Sequence, residues 1–352
     1  MRKINVFLIS SILLLILFSC EHRPLMDLNE LHYVRVYLDE SLRNVNFGFY
    51  DETKDKPEYE TPKVIRVALF EPESGRLVSE RYLRDRGADE KGVYFHGYIS
   101  APAGKYNLVA YNFDTSSLKV RNEKNYTYME AYTSSVGDNI KDRLVSARSG
   151  NDGKVEEDIL YEPEHFFVSK SEWVDVPLTD KTDTLKTADG GDFVAKSIVK
   201  TYYMQVNVKG IKYVNSAVAL MTGMAGSAYV HDGELNRDNA ASIYFTMKND
   251  SKRMRNSDDV AVAYATFNTF GKLPDVEGYI YITFEFNTTW GTVQTETIRV
   301  TDMFETPVVR DKQWIIIDKV IEIKPPGDDE GSNGATDPGV NQWQEIQGDI
   351  TI

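Results

Sequence analysis

The sequence predicts an all-β protein with two β-sandwich domains in tandem. Short runs of alternating apolar and polar residues recur along the chain between Gly- and Pro-containing turns, whereas helical periodicity is almost absent. The 21 tyrosines, together with many Val, Ile and Thr residues, favour strands. A hydrophobic fraction of 41 % excludes a disordered chain. A chain of 352 residues is longer than most domains with a single hydrophobic core, which favours two domains.

The N-terminal segment is typical of an exported lipoprotein. A basic start precedes an apolar run of about 13 residues, which is the length of a signal-peptide core and shorter than the about 20 residues of a membrane-spanning helix. Leu17-Phe18-Ser19-Cys20 then resembles the lipobox of bacterial lipoproteins. Cys20 is the only cysteine and has no partner for an internal disulfide. We predict a signal peptide over 1–19, lipidation of Cys20 and a leash over 20–30; the alternative is an ordinary signal peptide with an incidental cysteine.

The charge balance excludes one class of partner. The chain carries 40 Lys and Arg against 54 Asp and Glu, a formal net charge of −14. Nucleic-acid binding requires clustered cations that neutralise phosphates. We therefore expect no nucleic-acid partner and a solvated acidic surface.

The first predicted β-sandwich covers residues 31–180. Val34, Val36 and Leu38 alternate with polar or aromatic residues, as in a half-buried strand. A Pro- and Gly-containing turn joins two apolar runs over 64–83, which predicts a hairpin. Residues 113–158 are polar and weakly periodic, and we expect a long excursion there with a short helix near 128–136.

The second predicted β-sandwich covers residues 193–324 and follows a linker at 181–192 that is rich in Thr, Asp, Lys and Gly. Residues 201–208 alternate in the same period-two manner. The clearest alternation of the chain lies at 279–286, where Ile280, Ile282 and Phe284 fall on one face.

The C-terminal residues 325–352 combine a flexible linker with a predicted strand. Residues 325–339 are rich in Pro, Gly and acidic side chains. The following segment, 340–352, carries large apolar side chains, which are typical of a strand that packs against another surface and not of a disordered tail. These candidate partner-strand residues are Val340, Trp343, Ile346, Ile350 and Ile352. The strand either adds to a partner or folds back onto its own second domain, and the pattern leaves both alternatives open.

Chemical motifs give no indication of an enzyme. The chain contains no His-Glu-x-x-His, Gly-x-Ser-x-Gly or phosphate-loop motif. Its five histidines have no metal-ligand spacing. We predict no catalytic residues, no metal and no cofactor.

Aromatic side chains leave one alternative function open. Two groups of rings could form a sugar-stacking platform on a sheet, although alternating Tyr residues more often pack across strands. The groups are Tyr126, Tyr128 and Tyr132, and Tyr279, Tyr281 and Trp290. The alternative is therefore a surface glycan-binding lipoprotein of a nutrient-uptake system.

Six stretches, in order along the chain, together carry a family resemblance: Val67-Ala68-Leu69-Phe70-Glu71-Pro72, Pro102-Ala103-Gly104-Lys105-Tyr106, Tyr111-Asn112-Phe113-Asp114-Thr115, Ala219-Leu220-Met221-Thr222-Gly223-Met224-Ala225-Gly226, Phe267-Asn268-Thr269-Phe270-Gly271 and Val300-Thr301-Asp302-Met303-Phe304. They resemble the fimbrillin-related lipoproteins of Bacteroides-type bacteria, a group that includes anchor and accessory subunits of type V pili. The resemblance spans nearly the whole chain that follows the predicted signal peptide.

This resemblance implies two tandem transthyretin-like sandwiches and a structural or adhesive role without catalytic residues. It implies a pilus anchor or accessory subunit that is held in the outer membrane by its lipid, is exposed on the surface and is joined to pilin subunits by β-strand addition. Asp183-Thr184-Leu185 also resembles the sites at which these bacteria O-glycosylate exported proteins, which makes Thr184 a candidate.

Overall fold

A computed structural model describes residues 31–41, 61–148, 157–178, 184–250, 260–274 and 280–325. Most of these residues form strands, so the predicted all-β class is confirmed. The predicted signal peptide, Cys20, the leash and the tail strand lie outside the described residues.

The described part of the chain contains nineteen strands and two α-helices. The first eleven strands are β1 (Leu31–Leu38), β2 (Ile65–Phe70), β3 (Leu77–Leu83), β4 (Asp85–Asp89), β5 (Gly92–Ser100), β6 (Gly104–Asn112), β7 (Leu118–Arg121), β8 (Glu130–Thr133), β9 (Asp158–Tyr161), β10 (Phe167–Val176) and β11 (Phe193–Ser197). The others are β12 (Lys200–Lys209), β13 (Val214–Ala225), β14 (Ser227–Tyr229), β15 (Ala240–Asp250), β16 (Val260–Thr269), β17 (Tyr281–Thr288), β18 (Val293–Arg299) and β19 (Trp314–Glu322).

The helices are α1 (Asp138–Arg148) and α2 (Pro307–Lys312), with 3-10 turns at Ile211–Tyr213 and Thr301–Glu305. Neither of these α-helices has the length and apolar character needed to cross a membrane. The helix expected near 128–136 is wrong in position: that stretch contains β8, which pairs with β7 and β14. Pairing with distant strands therefore outweighs the weak helical preference of residues 128–136.

The first sheet has eight strands in the order β3-β2-β6-β10-β11-β1-β5-β4. One core cluster joins the apolar sides of strands from both halves of this path, including Val34, Phe95, Val67, Leu108 and Phe193. β11 connects the two halves, because it is antiparallel to β10 and parallel to β1. The sheet therefore folds over its own core as a sandwich.

The second sheet has the order β18-β17-β13-β15-β16-β12-β19, with β9 paired to β15. β15 passes between its two halves: residues 240–247 pair with β13 and residues 248–250 pair with β16. The core between the halves includes Phe245 and Phe267, whose rings stack with centroids 4.0 Å apart. This is a second sandwich.

Two strands cross the predicted boundary at 181–192. β11 follows that boundary but lies in the first sheet, whereas β9 precedes it but pairs in parallel with β15 of the second sheet. Parallel neighbours require long crossover connections, so the strand order along the chain does not reveal them. The sheets thus exchange strands, while the domain limits and the transthyretin-like layout stay predictions.

A third, smaller sheet connects the two sandwiches. It has the order β14-β8-β7, with β7 and β8 from the first half of the chain and β14 from the second. Its core combines Phe70 and Tyr111 of the first sandwich with Met129, Ala228 and Phe270. The two sandwiches therefore share a buried apolar contact.

A buried carboxylate reinforces this small sheet. Glu130 is 5 % exposed and accepts hydrogen bonds from Arg121 Nε at 2.7 Å, from Asn236 Nδ2 at 2.7 Å and from the Ser227 hydroxyl. Burial opposes ionisation of Glu130, but these donors outweigh it and hold its pKa below the usual 4.5. The ionised carboxylate thus links residues from both halves of the chain.

Glu130→Gln is expected to lower the free energy of unfolding by about 1.5–3 kcal/mol at neutral pH, because it weakens charge-assisted hydrogen bonds. The folded pKa is depressed, so the contribution of Glu130 is complete above pH 4.5 and is lost as the pH falls through the folded pKa. Urea unfolding at several pH values should show the difference between wild type and variant narrowing below pH 4.5. The control is Glu305→Gln. Glu305 forms an ion pair with Lys272 but is 77 % exposed, so its replacement should change the free energy of unfolding by less than about 1 kcal/mol. A difference that widens towards acid would contradict this assignment.

Candidate functional site

The candidate site is a groove between the edge strands β18 and β19 of the second sandwich. Within the described ranges, each of these strands pairs with one neighbour only, β18 with β17 and β19 with β12. The groove has a volume of about 300 Å³. Its lining residues are Phe286, Gln294, Thr295, Glu296, Lys319, Val320, Ile321, Glu322 and Lys324.

The groove is lined by both apolar and charged side chains. Phe286 is fully buried, whereas Val320 is 47 % exposed. Lys319 forms an ion pair with Glu296 of β18. Lys209 donates a hydrogen bond to Glu322 at 2.7 Å and holds the pKa of that carboxyl below its usual value. Edge charges of this kind protect an open strand from uncontrolled pairing.

The chain leaves the second sandwich beside this groove. The Lys324 amide donates to Gln294 Oε1 at 3.3 Å, and Gln294 Nε2 donates to the Lys324 carbonyl at 3.1 Å. These two hydrogen bonds tie the last described residues to β18. An open strand edge offers backbone hydrogen bonds to an extended segment, while adjacent pockets hold alternate side chains. The arrangement is therefore suited to the addition of a strand.

The predicted partner-strand residues and Cys20 lie outside the described residues, so their roles stay predictions. Thr184 is described: it is partly buried and forms a parallel bridge with Tyr33 of β1. The next amide, of Leu185, donates to the Tyr33 carbonyl at 2.8 Å. Thr184 thus lies against the first sheet, and its glycosylation stays a prediction.

The aromatic groups considered in the sequence do not form two shared platforms. Tyr126 is buried against Phe70, whereas Tyr128 is 62 % exposed. Tyr279 lies outside the described residues. Tyr281 begins β17, while Trp290 lies beyond the other end of that strand and packs on Tyr213 with centroids 5.4 Å apart. Eight residues of strand span about 27 Å, so the latter two rings are far apart.

The structure instead assembles rings that sequence reasoning missed, on the outer face of β1 and β5. Tyr33 lies directly opposite Tyr98, and Tyr37 lies opposite Tyr94. The period-two pattern that places Val34 in the core also directs Tyr33 outward, but the pairing partner of β1 cannot be read from that pattern.

Within the described ranges, no group of three or more His, Cys, Asp or Glu side chains is placed to hold a metal ion. The half-buried His165 lies near the hydroxyls of Ser197 and Thr201, at 3.3 and 3.4 Å. Burial lowers its pKa to about 4, so the ring is neutral at physiological pH. The His165 ring, which precedes β10, thus contacts side chains of β11 and β12.

Comparisons with known proteins confirm the resemblance to fimbrial proteins. The chain is 25 % identical over 309 residues to a Bacteroides ovatus protein proposed to be the fimbrium anchoring subunit Fim4B, covering 85 % of this chain and 80 % of that protein. A crystal structure of a proposed adhesin from the same species matches with a TM-score of 0.55 at 22 % identity, covering 88 % of this chain and 98 % of the other. The fimbrial anchor protein Mfa2 from Porphyromonas gingivalis matches with a TM-score of 0.45 at 12 % identity, over 83 % and 90 % of the two chains.

A family profile matches a large part of the chain. The profile of DUF5119, described as a domain of unknown function, matches residues 19–246. That range covers more than half of the 352 residues and includes the whole first sheet and part of the second. The chain therefore belongs to the DUF5119 family.

Proposed function

We propose that the protein is a lipid-anchored fimbrial anchor or accessory subunit of the outer membrane that joins its neighbours by β-strand addition. The observation that carries this proposal is the groove between β18 and β19, whose two edge strands meet where the chain leaves the second sandwich. In this proposal the protein is structural and not an enzyme, and it is exposed at the cell surface.

The name of the Fim4B relative supports the anchor role, since it is proposed to be a fimbrium anchoring subunit. Anchoring requires a stable attachment to the membrane. Leu17-Phe18-Ser19-Cys20 supplies a candidate for it, because a diacylated or triacylated cysteine holds a protein on a bilayer. The acidic net charge of −14 suits an attachment through lipid and not through basic patches.

The tail supplies the strand. Residues 325–339 have a linker composition, and about 15 flexible residues span about 20 Å. The following segment carries Trp343, Ile350 and Ile352, of which the two isoleucines share one strand face. In this proposal the segment 340–352 enters an open edge of a neighbouring subunit, and the groove is where this chain can itself receive an extended segment.

Deletion of residues 340–352 tests the proposal. We expect the truncated protein to melt at the wild-type temperature, and we expect cells that carry it to release fimbriae into the medium, because the joint to the neighbouring subunit is lost. Melting is followed by calorimetry on the purified protein, and fimbriae are quantified in the cell-bound and released fractions.

A groove variant with a matched control locates the receiving edge. Val320→Asp places a charge in the groove wall and should also release fimbriae, whereas Val308→Asp, at a similarly exposed valine of α2 (47 % and 43 % exposed), should not. A lower melting temperature of the truncated monomer would mean that the strand docks on its own body. Unchanged melting with unchanged attachment in the truncated protein would overturn strand donation by residues 340–352.

A further inference from the structure

The outer face of the first sheet carries a cluster of aromatic side chains, here called the tyrosine face: Tyr33, Tyr37, Tyr94, His96 and Tyr98. The register between β1 and β5 places these side chains in three successive cross-strand rows, with Tyr33 opposite Tyr98, Arg35 opposite His96 and Tyr37 opposite Tyr94. Their neighbours along β1, Val34 and Val36, point into the core and are fully buried. The sheet thus holds the rings on a rigid base.

The rings contact one another along the face. The Tyr33 ring lies 5.3 Å from that of Tyr98 and 5.7 Å from His96, measured between centroids. Tyr94 lies 5.7 Å from His96 and 5.3 Å from Tyr37. The result is a continuous aromatic strip and not a set of isolated side chains.

One end of this strip is closed, since Tyr37 is only 4 % exposed, and the other end is open. Gly87 of β4 lies under the Tyr94 ring, and a Cβ atom at Gly87 would approach that ring to 2.3 Å. The missing side chain lets Tyr94 lie down on the edge strand. At the other end of the strip Tyr98 is 50 % exposed, so its ring is available to a ligand.

Two ion pairs flank the strip, and the exposed Asp85 of β4 lies opposite His96. Arg35 forms an ion pair with Asp89 at 3.1 Å and lies over the Tyr94 ring at 4.3 Å. The Tyr37 hydroxyl donates to the same Asp89 carboxylate at 2.7 Å. Beside the strip, Lys91 pairs with Asp192. The paired groups satisfy one another's charge and Asp85 adds a negative one, which makes the face a poor match for an acidic ligand.

The chemistry of the face therefore specifies its ligand. Aromatic rings offer flat apolar surface, while the tyrosine hydroxyls and the imidazole offer donors and acceptors at the ring edges. A neutral sugar has matching properties, since its C–H bonds form an apolar face and its hydroxyls surround that face. We propose that the tyrosine face binds a neutral carbohydrate, with Tyr98 and Tyr33 as the stacking residues. This inference concerns the first sheet and does not rest on strand addition at the groove.

An array of neutral and acidic oligosaccharides tests the proposal with the full-length mature protein. We expect binding to neutral oligosaccharides, and we expect Tyr98→Ala and Tyr33→Ala each to weaken it about tenfold, as for the loss of one aromatic stack. Tyr98→Phe keeps the ring and should retain most of the binding. Tyr128→Ala is the matched control, because Tyr128 is an exposed tyrosine, 62 % accessible, outside the strip. Thermal melting of each variant verifies that the fold is intact.

The outcomes separate this proposal from its competitors. Absence of binding to any neutral oligosaccharide overturns it, and so does binding confined to acidic ones. Binding that survives both alanine substitutions, or that Tyr128→Ala weakens equally, places the sugar elsewhere and also overturns it. Loss of fimbrial attachment in Tyr98→Ala without any effect on sugar binding would identify the face as a protein contact instead.

Discussion

Cys20→Ala is expected to remove the protein from the outer-membrane fraction and to abolish the incorporation of labelled palmitate. Each buried methylene of an acyl chain contributes about 0.8 kcal/mol to membrane binding, and a stable anchor needs two or more chains. Cys20 is the only cysteine of the chain, so no other thiol can carry the lipid. Fractionation of labelled cells measures both effects, and mass spectrometry of the wild-type N-terminus should find an acylated Cys20 as the first residue.

Ser19→Ala is the matched control for this experiment. It keeps a small residue before Cys20 and should therefore preserve cleavage, lipidation and membrane attachment. Because an uncleaved signal segment can hold the Cys20→Ala protein on the inner membrane, the outer-membrane fraction is the informative one. An unmodified mature N-terminus, or one that begins at another residue, would contradict the lipoprotein assignment and with it the proposed anchor.

Simultaneous replacement of Glu80 and Glu123 by glutamine is expected to lower the free energy of unfolding by about 3–5 kcal/mol. The guanidinium of Arg66 is 2 % exposed and forms ion pairs with both carboxylates, through Nη1 to Glu123 at 2.8 Å and through Nη2 to Glu80. It also donates to the hydroxyl of Tyr111. Removal of both carboxylates leaves the buried guanidinium without an opposite charge, and urea unfolding should detect the lost stability.

Replacement of Arg66 itself should lower the free energy of unfolding by a smaller amount. In Arg66→Met the carboxylates of Glu80 and Glu123, which are 39 % and 32 % exposed, can regain water, and the methionine fills much of the vacated volume. Glu71→Gln is the surface control, since Glu71 and its partner Arg76 are 48 % and 76 % exposed and 4.0 Å apart. If the double glutamine variant and Glu71→Gln lose the same free energy of unfolding, the buried charge of Arg66 does not destabilise the fold when its carboxylates are removed.

The local strand pattern was largely predictable. Alternation identified β1, the hairpin of β2 and β3, the central strand β12 and the strand β17, because burial of one sheet face imposes a period of two on the sequence. The lipobox-like stretch and the linker-like composition after Lys324 were equally visible. These features depend on residues that are close in sequence, so one chain suffices to recognise them.

The candidate sites depended on pairing between distant segments. The groove exists because β18 and β19, which are distant in the strand order, end up as the two edges of the second sheet. The tyrosine face exists because Tyr33 lies opposite Tyr98, 65 positions later. Neither arrangement leaves a signal in the spacing of one strand alone, since that spacing shows which side chains share a face but not which strand lies beside it.

The sequence by itself therefore determined the all-β class, the strands with clear period-two alternation, the family resemblance and the absence of recognisable catalytic motifs. Tertiary structure alone decided that β11 belongs to the first sheet, that β9 pairs with β15 and that Glu130 links the two halves of the chain. The physical reason is that an apolar strand face specifies only that it must be buried. Which partner buries it follows from how all the strands pack together.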